Sequence, residues 1–240
     1  ACDEPRAVEA LKWRMHITEL QGGAEKVAAF QAGFGNFDSP QHQFFHNLVG
    51  MEFYGEWWPG YVQRYGPHVR YRIGRTPYPE KYPELKNLTY FGGNFVCMPS
   101  GCAHAREAWR FMEWTHTEEG QVVFAAKMQG CPDIRSVAEA MVPTPEQIAT
   151  ADRIRIGPGL HFEEQKRRHD PVRQVRYGIA CQIGLTPKWA VFPPLPVNVL
   201  YRQELLSAFQ YAERGTKSPE QALSDCQKRV QAALDEYLEE

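Results

Sequence analysis

Apolar residues recur every three or four positions near both ends of the chain, the spacing typical of helices with one buried face. The first such helix is predicted over residues 5–21, and Gly22 and Gly23 directly after it indicate its end. A second, shorter helix is predicted over 24–32, and a long closing helix over 218–238. The predicted buried stripe of the closing helix consists of Leu223, Cys226, Val230 and Tyr237.

Two apolar runs in the first third of the chain are typical of strands. The run VGMEFYGEW, which begins at Val49, is rich in β-favouring residues and predicts a strand that ends at Gly55. Residues 69–73 alternate apolar and basic side chains, which predicts a half-exposed strand. A helix with one buried face is predicted after the stretch PSGC. Its apolar positions are Ala105, Ala108, Trp109 and Met112.

Two short signals in the second half mark helix starts. TPEQ at 144–147 and SPEQ at 218–221 each offer a hydroxyl as cap, a proline in the first turn and a glutamine that can reach back to the cap. The proline-rich run LTPKWAVFPPLPVNVLY cannot form a regular helix, because proline removes donors and disfavours helical angles before it. No element is predicted for the mixed charges of residues 158–176. With few strands and many helices, the pattern predicts an α/β fold.

Composition narrows the class of protein. The chain has 240 residues, long enough for one large domain or two small ones, and a formal net charge of −2. A net negative charge argues against binding to the phosphate backbone of a nucleic acid. The six cysteines give neither a disulfide scaffold nor a zinc signature. Cys97 and Cys102 could close a small loop, and the others are interpreted as buried free thiols, although an oxidising compartment would favour one or two bridges.

A search for catalytic motifs gives weak candidates. Glu52 and Glu56 could serve as a glycosidase pair, which needs carboxylates roughly 5 to 9.5 Å apart. Four positions along a strand place them about 13 Å apart, unless the turn at Gly55 folds them together. His42 and His46 have a spacing that zinc sites use on helices, but without an HExxH motif. The sequence predicts no catalytic residue, no cofactor and no metal site.

The adjacent pair Trp57 and Trp58 stands out among the aromatic residues. Side chains alternate along a strand, so one member of the pair would enter the core and the other would face a surface or groove. Two aromatic groups occupy loop junctions beside Gly and Pro, where core packing explains them least. The groups are Trp57, Trp58 and Tyr61, and Trp189, Phe192 and Tyr201. If both groups face one cleft, they form a stacking platform for a ring-shaped ligand.

Three segments in order resemble the extracellular solute-binding proteins of carbohydrate ABC transporters, family 1. HQFFHNLVGMEFYGEWWPGYVQRYGP resembles the family stretch F-x-G-x-x-A-M-x-x-x-G-x-W. YFGGNFVCMPSGCAHAREAWRFMEWTHTEEGQ is similar to its GG-x-x-x-x-I-P-x-G-x-x-x-x-x-A-W-x-F segment, which ends in Gly-Gln. SPEQALSDCQKRVQAALDEYL is similar to its closing helix, whereas residues 150–180 match poorly.

The resemblance implies an α/β fold of periplasmic-binding-protein type II, helix-rich and two-lobed, with a first lobe that lacks its opening strands. Residues 1–92 and 156–240 would belong to the second lobe, and residues 93–155 to the first. The pair Gly92–Gly93 would lie near a hinge crossing.

The implied function is that of a non-enzymatic receptor, the solute-binding subunit of an ABC importer, extracellular or periplasmic. Its partners would be a carbohydrate held between the lobes and a membrane permease, with no nucleic acid. The expected ligand-binding residues are Glu56, Trp57, Trp58, Tyr61, Trp189, Tyr201 and Arg202. Two alternatives stay open at this point: a glycoside-processing enzyme that uses the aromatics and carboxylates, and a truncated fragment with no ligand activity.

Overall fold

The structure, a computed structural model, describes residues 1–90, 92, 96–128, 130–157, 159–186, 188–191 and 193–239. The chain divides into two compact units. Unit 1 consists of Ala1–Phe34 and Phe192–Glu240, and unit 2 of Gly35–Val191. The lobe boundaries expected from the resemblance remain a prediction, and Gly93 of the expected hinge lies outside the described residues.

Helices dominate both units. In chain order they are α1 (Pro5–Leu20), α2 (Ala24–Ala32), α3 (Trp58–Tyr65), α4 (Ala105–Thr115), α5 (Glu118–Met128), α6 (Arg135–Ala140), α7 (Pro145–Arg153), α8 (Phe162–Gly184), α9 (Asn198–Glu213) and α10 (Pro219–Glu239). Short 3-10 helices span Gln43–His46 and Pro83–Leu85. The strands β1 (Thr89–Tyr90) and β2 (Trp189–Ala190) pair in parallel, with Thr89 opposite Trp189. No described helix has the length and apolar character needed to cross a bilayer.

Unit 1 contains the helices that the terminal sequence patterns predict. The predictions over 5–21, 24–32 and 218–238 are confirmed by α1, α2 and α10. Between α1 and α2, Gly22 and Gly23 have φ angles of 105° and 92°, a region that side chains disfavour. The glycine pair therefore stops α1 and lets the chain turn into α2.

The core of unit 1 lies between α1, α9 and α10. Leu11 of α1 and Leu223 of α10 are almost completely buried there, beside the small residues Ala208 and Ala212 of α9. The predicted stripe of α10 is confirmed at Leu223, Cys226 and Val230, but wrong at Tyr237, which is 55% exposed. The last five described residues of α10 are all exposed, so the stripe loses its neighbours before it reaches Tyr237.

The long helix α8 organises unit 2, where α3, α6 and α7 pack against it. No element was predicted for most of this helix, because its charges hide the apolar positions. Those charges satisfy one another along the helix: Glu164 accepts hydrogen bonds from Arg167 at 2.8 Å and from Arg168 at 2.7 Å. Glu163 and Glu164 also occupy the first turn, where the helix dipole favours negative charge.

Two strand predictions in unit 2 are wrong. Residues 49–55 form no strand, and after a turn at 56–57 the helix α3 begins at Trp58, with Pro59 in its first turn. Proline at that position is preorganised for helix, which explains why the tryptophans start an element instead of ending one. Residues 69–73 also form no strand, although their burial alternates as expected: Val69 is buried, while Arg70 and Arg72 are exposed. β-Favouring residues need a partner strand, and neither run pairs with one.

The helix predicted after PSGC exists as α4, but its stripe is not buried. All residues of α4 are described, and none of them is buried. Trp109, the largest residue of the predicted stripe, is 53% exposed. The helix-start signal at 144–147 is confirmed: Gln147 N donates to Thr144 Oγ1 at 3.2 Å, and Thr144 N donates to the Gln147 side chain at 2.7 Å.

Candidate functional site

Unit 2 contains a cleft of about 1490 Å³. Two largely irregular segments, residues 49–58 and residues 67–77, form much of its lining, and residues of α8, Asp152 of α7 and Cys131 are among the others that line it. The irregular segments are the two runs in which strands were expected. Because neither run pairs in a sheet, the side chains of both are free to line a cavity instead.

The local sequence GEWWPG positions the aromatic wall of this cleft. The N–H of Trp58 donates to the carbonyl of Gly55 at 3.1 Å, which closes a turn just before α3. A side chain at position 55 would collide with the indole of Trp57, so glycine permits this close approach. The turn holds the two tryptophans in a T-shaped arrangement, with ring centroids 6.1 Å apart and an interplanar angle of 75°.

Burial differs sharply between the two tryptophans. Trp58 is only 6% exposed and stacks on Phe45 at 5.2 Å and on Tyr54 at 4.0 Å. Trp57 is half-buried and lines the cleft. The expectation that the pair would divide is confirmed for burial, since Trp58 enters the core and Trp57 does not, although both residues contribute to the cleft lining and a helix start, not a strand, produces the division. Their contact with a ligand remains a prediction.

A carboxylate lies beside the aromatic wall. Glu52 accepts a hydrogen bond from Gln43 Nε2 at 2.6 Å, and its Oε2 lies 3.9 Å from His42 Nδ1. Burial raises the pKa of Glu52, and the bond from Gln43 partly opposes that effect. Burial lowers the pKa of His42, so the imidazole is neutral at pH 7 and its Nε2 pairs with the hydroxyl of Tyr54 at 2.8 Å.

The lining of the cleft also includes a buried cation with its counter-charge. Arg176 of α8 is 4% exposed and pairs with one carboxylate oxygen of Asp152. The other oxygen of Asp152 accepts from Arg72 Nη2 at 2.9 Å, and Arg176 Nε donates to the carbonyl of Tyr71 at 3.0 Å. Arg176 holds the pKa of Asp152 below its ordinary value. The pair therefore stays charged, and it ties α7, α8 and the segment 67–77 together.

Unsatisfied polar atoms are concentrated at this cleft. Among the described residues, the buried side-chain nitrogen and oxygen atoms without a hydrogen-bond partner belong to Glu52, Trp58, Tyr71 and His169, and all four residues line the cleft. Burying such a group typically costs about 1–3 kcal/mol. An accumulation of this cost in one place is a feature that functional sites often share.

His169 and Tyr71 form a neutral pair in this set. Their rings lie parallel, with centroids 6.2 Å apart and an interplanar angle of 9°. Burial, together with the nearby charges of Arg173 and Arg176, lowers the pKa of His169 to about 4, while Asp170 opposes the shift. Burial also raises the pKa of the Tyr71 hydroxyl. Both groups are uncharged at neutral pH.

The structure brings together part of the predicted ligand-binding set. Glu56, Trp57 and Trp58 line the cleft of unit 2. Tyr61 is half-buried in the neighbouring aromatic cluster and packs edge-on against Trp57 at 5.4 Å. Trp189 lies in β2, half-exposed, and its Nε1 donates to the carbonyl of Gly184 at 3.1 Å.

The remaining predicted residues lie in unit 1 or outside the described chain. Tyr201 and Arg202 belong to α9, where Tyr201 packs against the apolar core of unit 1. Phe192 lies outside the described residues. The ligand-binding role of Tyr201 and Arg202 stays a prediction.

Sequence reasoning missed Tyr71, His169 and Arg176. Tyr71 sits in an alternating run that was interpreted only as a strand, and the other two lie within the polar stretch that hid α8. Across the described residues, no group of three or more His, Cys, Asp or Glu side chains has the arrangement of a metal site.

The family of bacterial extracellular solute-binding proteins matches residues 9–151. The match covers more than half of the chain, and the chain belongs to this family. The matched region includes the irregular segments that line the cleft, and it ends within α7, before α8 begins. Members of this class typically bind small-molecule solutes without catalysis, work with a transporter, and are located outside the cytoplasmic membrane or in the periplasm. No curated protein matches the chain.

Proposed function

We propose that this protein is the solute-binding subunit of an ABC importer and that its solute is a carbohydrate. The observation that supports the proposal is the aromatic wall of the cleft in unit 2, where the half-buried Trp57 lines the same cleft as Glu52 and Glu56. Sugars present flat apolar faces that stack on aromatic rings and hydroxyls that donate to carboxylates. The two kinds of group together fit a polyhydroxyl ring better than a purely apolar or purely ionic solute.

Roles within the site follow from burial. Trp57 supplies the stacking face, while Trp58 and Tyr61 hold its indole in place from the core side. Glu52 and Glu56 accept hydrogen bonds from sugar hydroxyls. Trp189, Tyr201 and Arg202 are further ligand-binding residues in this proposal, as the resemblance implies.

Binding would act on the permease through a change of conformation. A solute shifts the receptor from an open to a closed state only as far as it binds the closed state more tightly. The closed form would then engage the permease. In this proposal the stacking face and the carboxylates supply the preference for the closed state.

A thermal-shift titration, repeated with tryptophan fluorescence, tests the proposal against neutral and acidic mono- and oligosaccharides. A sugar at a hundred times its dissociation constant adds about 2.7 kcal/mol, which raises the Tm of a chain this size by roughly 5–10 °C. Trp57→Ala should abolish the shift. The matched control Trp13→Ala, which removes an indole that is 61% exposed on α1, should retain it.

Other outcomes would contradict the proposal in distinct ways. A shift that survives Trp57→Ala would move the site away from the aromatic wall. The absence of a shift with any sugar would refute the carbohydrate assignment, and amino acids or carboxylic acids would be titrated next. Hydrolysis of a chromogenic glycoside would show that the protein is an enzyme and would contradict its assignment as a receptor.

A further inference from the structure

Two cysteines that are distant in sequence meet on the wall of the cleft. Cys131 follows α5, Cys181 lies near the end of α8, and their Sγ atoms are 3.4 Å apart. Cys181 is 1% exposed, whereas Cys131 is half-buried and lines the cleft. All six cysteines of the chain are free thiols in this structure.

Packing on both sides fixes this pair in place. Cys181 belongs to a small apolar cluster with Ala125 of α5 and Tyr177 of α8, and Cys131 packs against the same cluster. The hydroxyl of Tyr177 donates to the carbonyl of Gly130, the residue directly before Cys131. The segment that carries Cys131 is therefore tied to α8 one turn before Cys181, and the two sulfurs do not depend on a mobile loop to meet.

The location of the protein decides what chemistry this contact undergoes. Members of the family work outside the cytoplasm, in compartments where disulfides form and persist. We propose that Cys131 and Cys181 form a disulfide bond in the exported protein, which joins the segment after α5 to α8.

The oxidant is a disulfide, either of a thiol oxidoreductase of the compartment or of a small thiol such as oxidised glutathione. The thiolate of Cys131, which borders the cleft, attacks the donor disulfide, forms a mixed disulfide and releases one donor thiol. The thiolate of Cys181 then attacks the sulfur of Cys131 and releases the second donor thiol. Both protein thiols lose a proton and an electron each, and the donor disulfide is reduced to two thiols.

The bond would close a loop that contains α6, α7 and most of α8. This loop includes Asp152 and Arg176, whose ion pair ties the cleft wall together. Cross-linking restricts the unfolded chain most when the closed loop is long, so unit 2 should gain stability from this bond. A bond between Cys97 and Cys102 could close only a small loop and would therefore add less stability to the protein.

Peptide mapping under non-reducing conditions tests the proposal on the complete wild-type chain. The protein would be exported to the periplasm of a bacterial host, trapped with iodoacetamide in denaturant, and digested. The expected result is one cross-linked species that contains Cys131 and Cys181 and is lighter than the two peptides by two hydrogens. Recovery of both cysteines in alkylated form, or of either one bonded to a different cysteine, would overturn the proposal.

A second measurement uses stability and does not require any solute. Reduction with dithiothreitol should lower the Tm of the wild type by on the order of 5–10 °C. Cys131→Ser should remove this response, whereas the matched variant Cys102→Ser, which leaves the pair intact, should retain it. An equal response in Cys131→Ser and wild type would contradict the bond. If Cys131→Ser fails to fold, the mapping of the wild type decides alone.

Discussion

Replacing His169 with phenylalanine should flatten the pH dependence of stability between neutral and mildly acidic conditions. In the folded protein the pKa of His169 is lowered to about 4, because its ring is buried and faces Arg173 and Arg176, with Asp170 as the opposing charge. The uncharged ring of Tyr71 stacks against its imidazole. In the unfolded chain the pKa returns to about 6.5.

The direction follows from proton binding. Above pH 6.5 neither state holds the proton, so His169 does not make stability depend on pH. As the pH falls from about 6.5 to about 4, His169 becomes protonated in the unfolded chain but stays neutral in the folded chain, and the free energy of unfolding decreases. The loss amounts to about 2 kcal/mol between pH 7 and pH 5, and approaches about 3 kcal/mol when the folded form also becomes protonated.

Urea unfolding at pH 7 and pH 5 measures this effect, and five of the six tryptophans report on unit 2. The wild type should lose about 2 kcal/mol more than His169→Phe between the two pH values. At pH 7 the variant should be as stable as the wild type or more so, because it removes two ring nitrogens without a partner. His104→Phe, which changes an exposed histidine of unit 2, is the matched control and should keep the wild-type slope. Equal slopes for wild type and His169→Phe would refute the assignment of a buried, neutral histidine.

Two further substitutions test the packing and the charge balance of unit 2. Trp58→Ala should lower the free energy of unfolding by about 3–5 kcal/mol, because it empties the centre of the aromatic cluster. Trp13→Ala, at an exposed position, should change it by less than about 0.5 kcal/mol. Similar losses for both variants in urea unfolding would contradict the core position of Trp58. Asp152→Ala should cost about 3–5 kcal/mol because it leaves Arg176 buried without its counter-charge, whereas Arg72→Ala removes only an exposed partner and should cost less than about 1 kcal/mol. The two arginine contacts would be wrongly ranked if Arg72→Ala proved the more damaging in the same assay.

Features encoded by neighbouring residues could be predicted from the sequence. The glycine pair after α1 and the cap at Thr144 depend on residues within one or two turns, and the spacing of Leu223, Cys226 and Val230 marks the face of α10 that α1 and α9 bury. The division between Trp57 and Trp58 also follows from their adjacency, whichever element carries them. These local preferences are strong enough to survive in the folded chain.

Features that depend on distant partners could not be predicted in the same way. The run from Val49 has strand-like composition, but a strand needs a second strand, and its side chains line a cleft instead. The apolar stripe of α4 has helical spacing, but the contact with α5 leaves none of the residues of α4 buried. The charged residues that form ion pairs along α8 hide its apolar positions, so the hydropathy pattern does not reveal the helix.

The candidate site shows the same limit. Tyr71 and His169 stack although they lie far apart in sequence, and no local motif links them. Arg176 meets Asp152 only because α7 packs on α8. The adjacent Trp57 and Trp58 are conspicuous in the sequence, whereas nothing in the sequence marks His169, a single buried histidine within a charged stretch.

The division of the chain into units has a consequence for its biosynthesis. Unit 2 is continuous in sequence, from Gly35 to Val191, whereas unit 1 combines Ala1–Phe34 with Phe192–Glu240. A growing chain therefore holds every residue of unit 2 before α9 and α10 have been made. Until then α1 lacks the helices that bury Leu11, and it must wait with an exposed apolar stripe while unit 2 folds. The helix α1 is thus made before unit 2 but buries Leu11 only after α9 and α10 have followed, so its apolar stripe is open to a holding chaperone in the meantime.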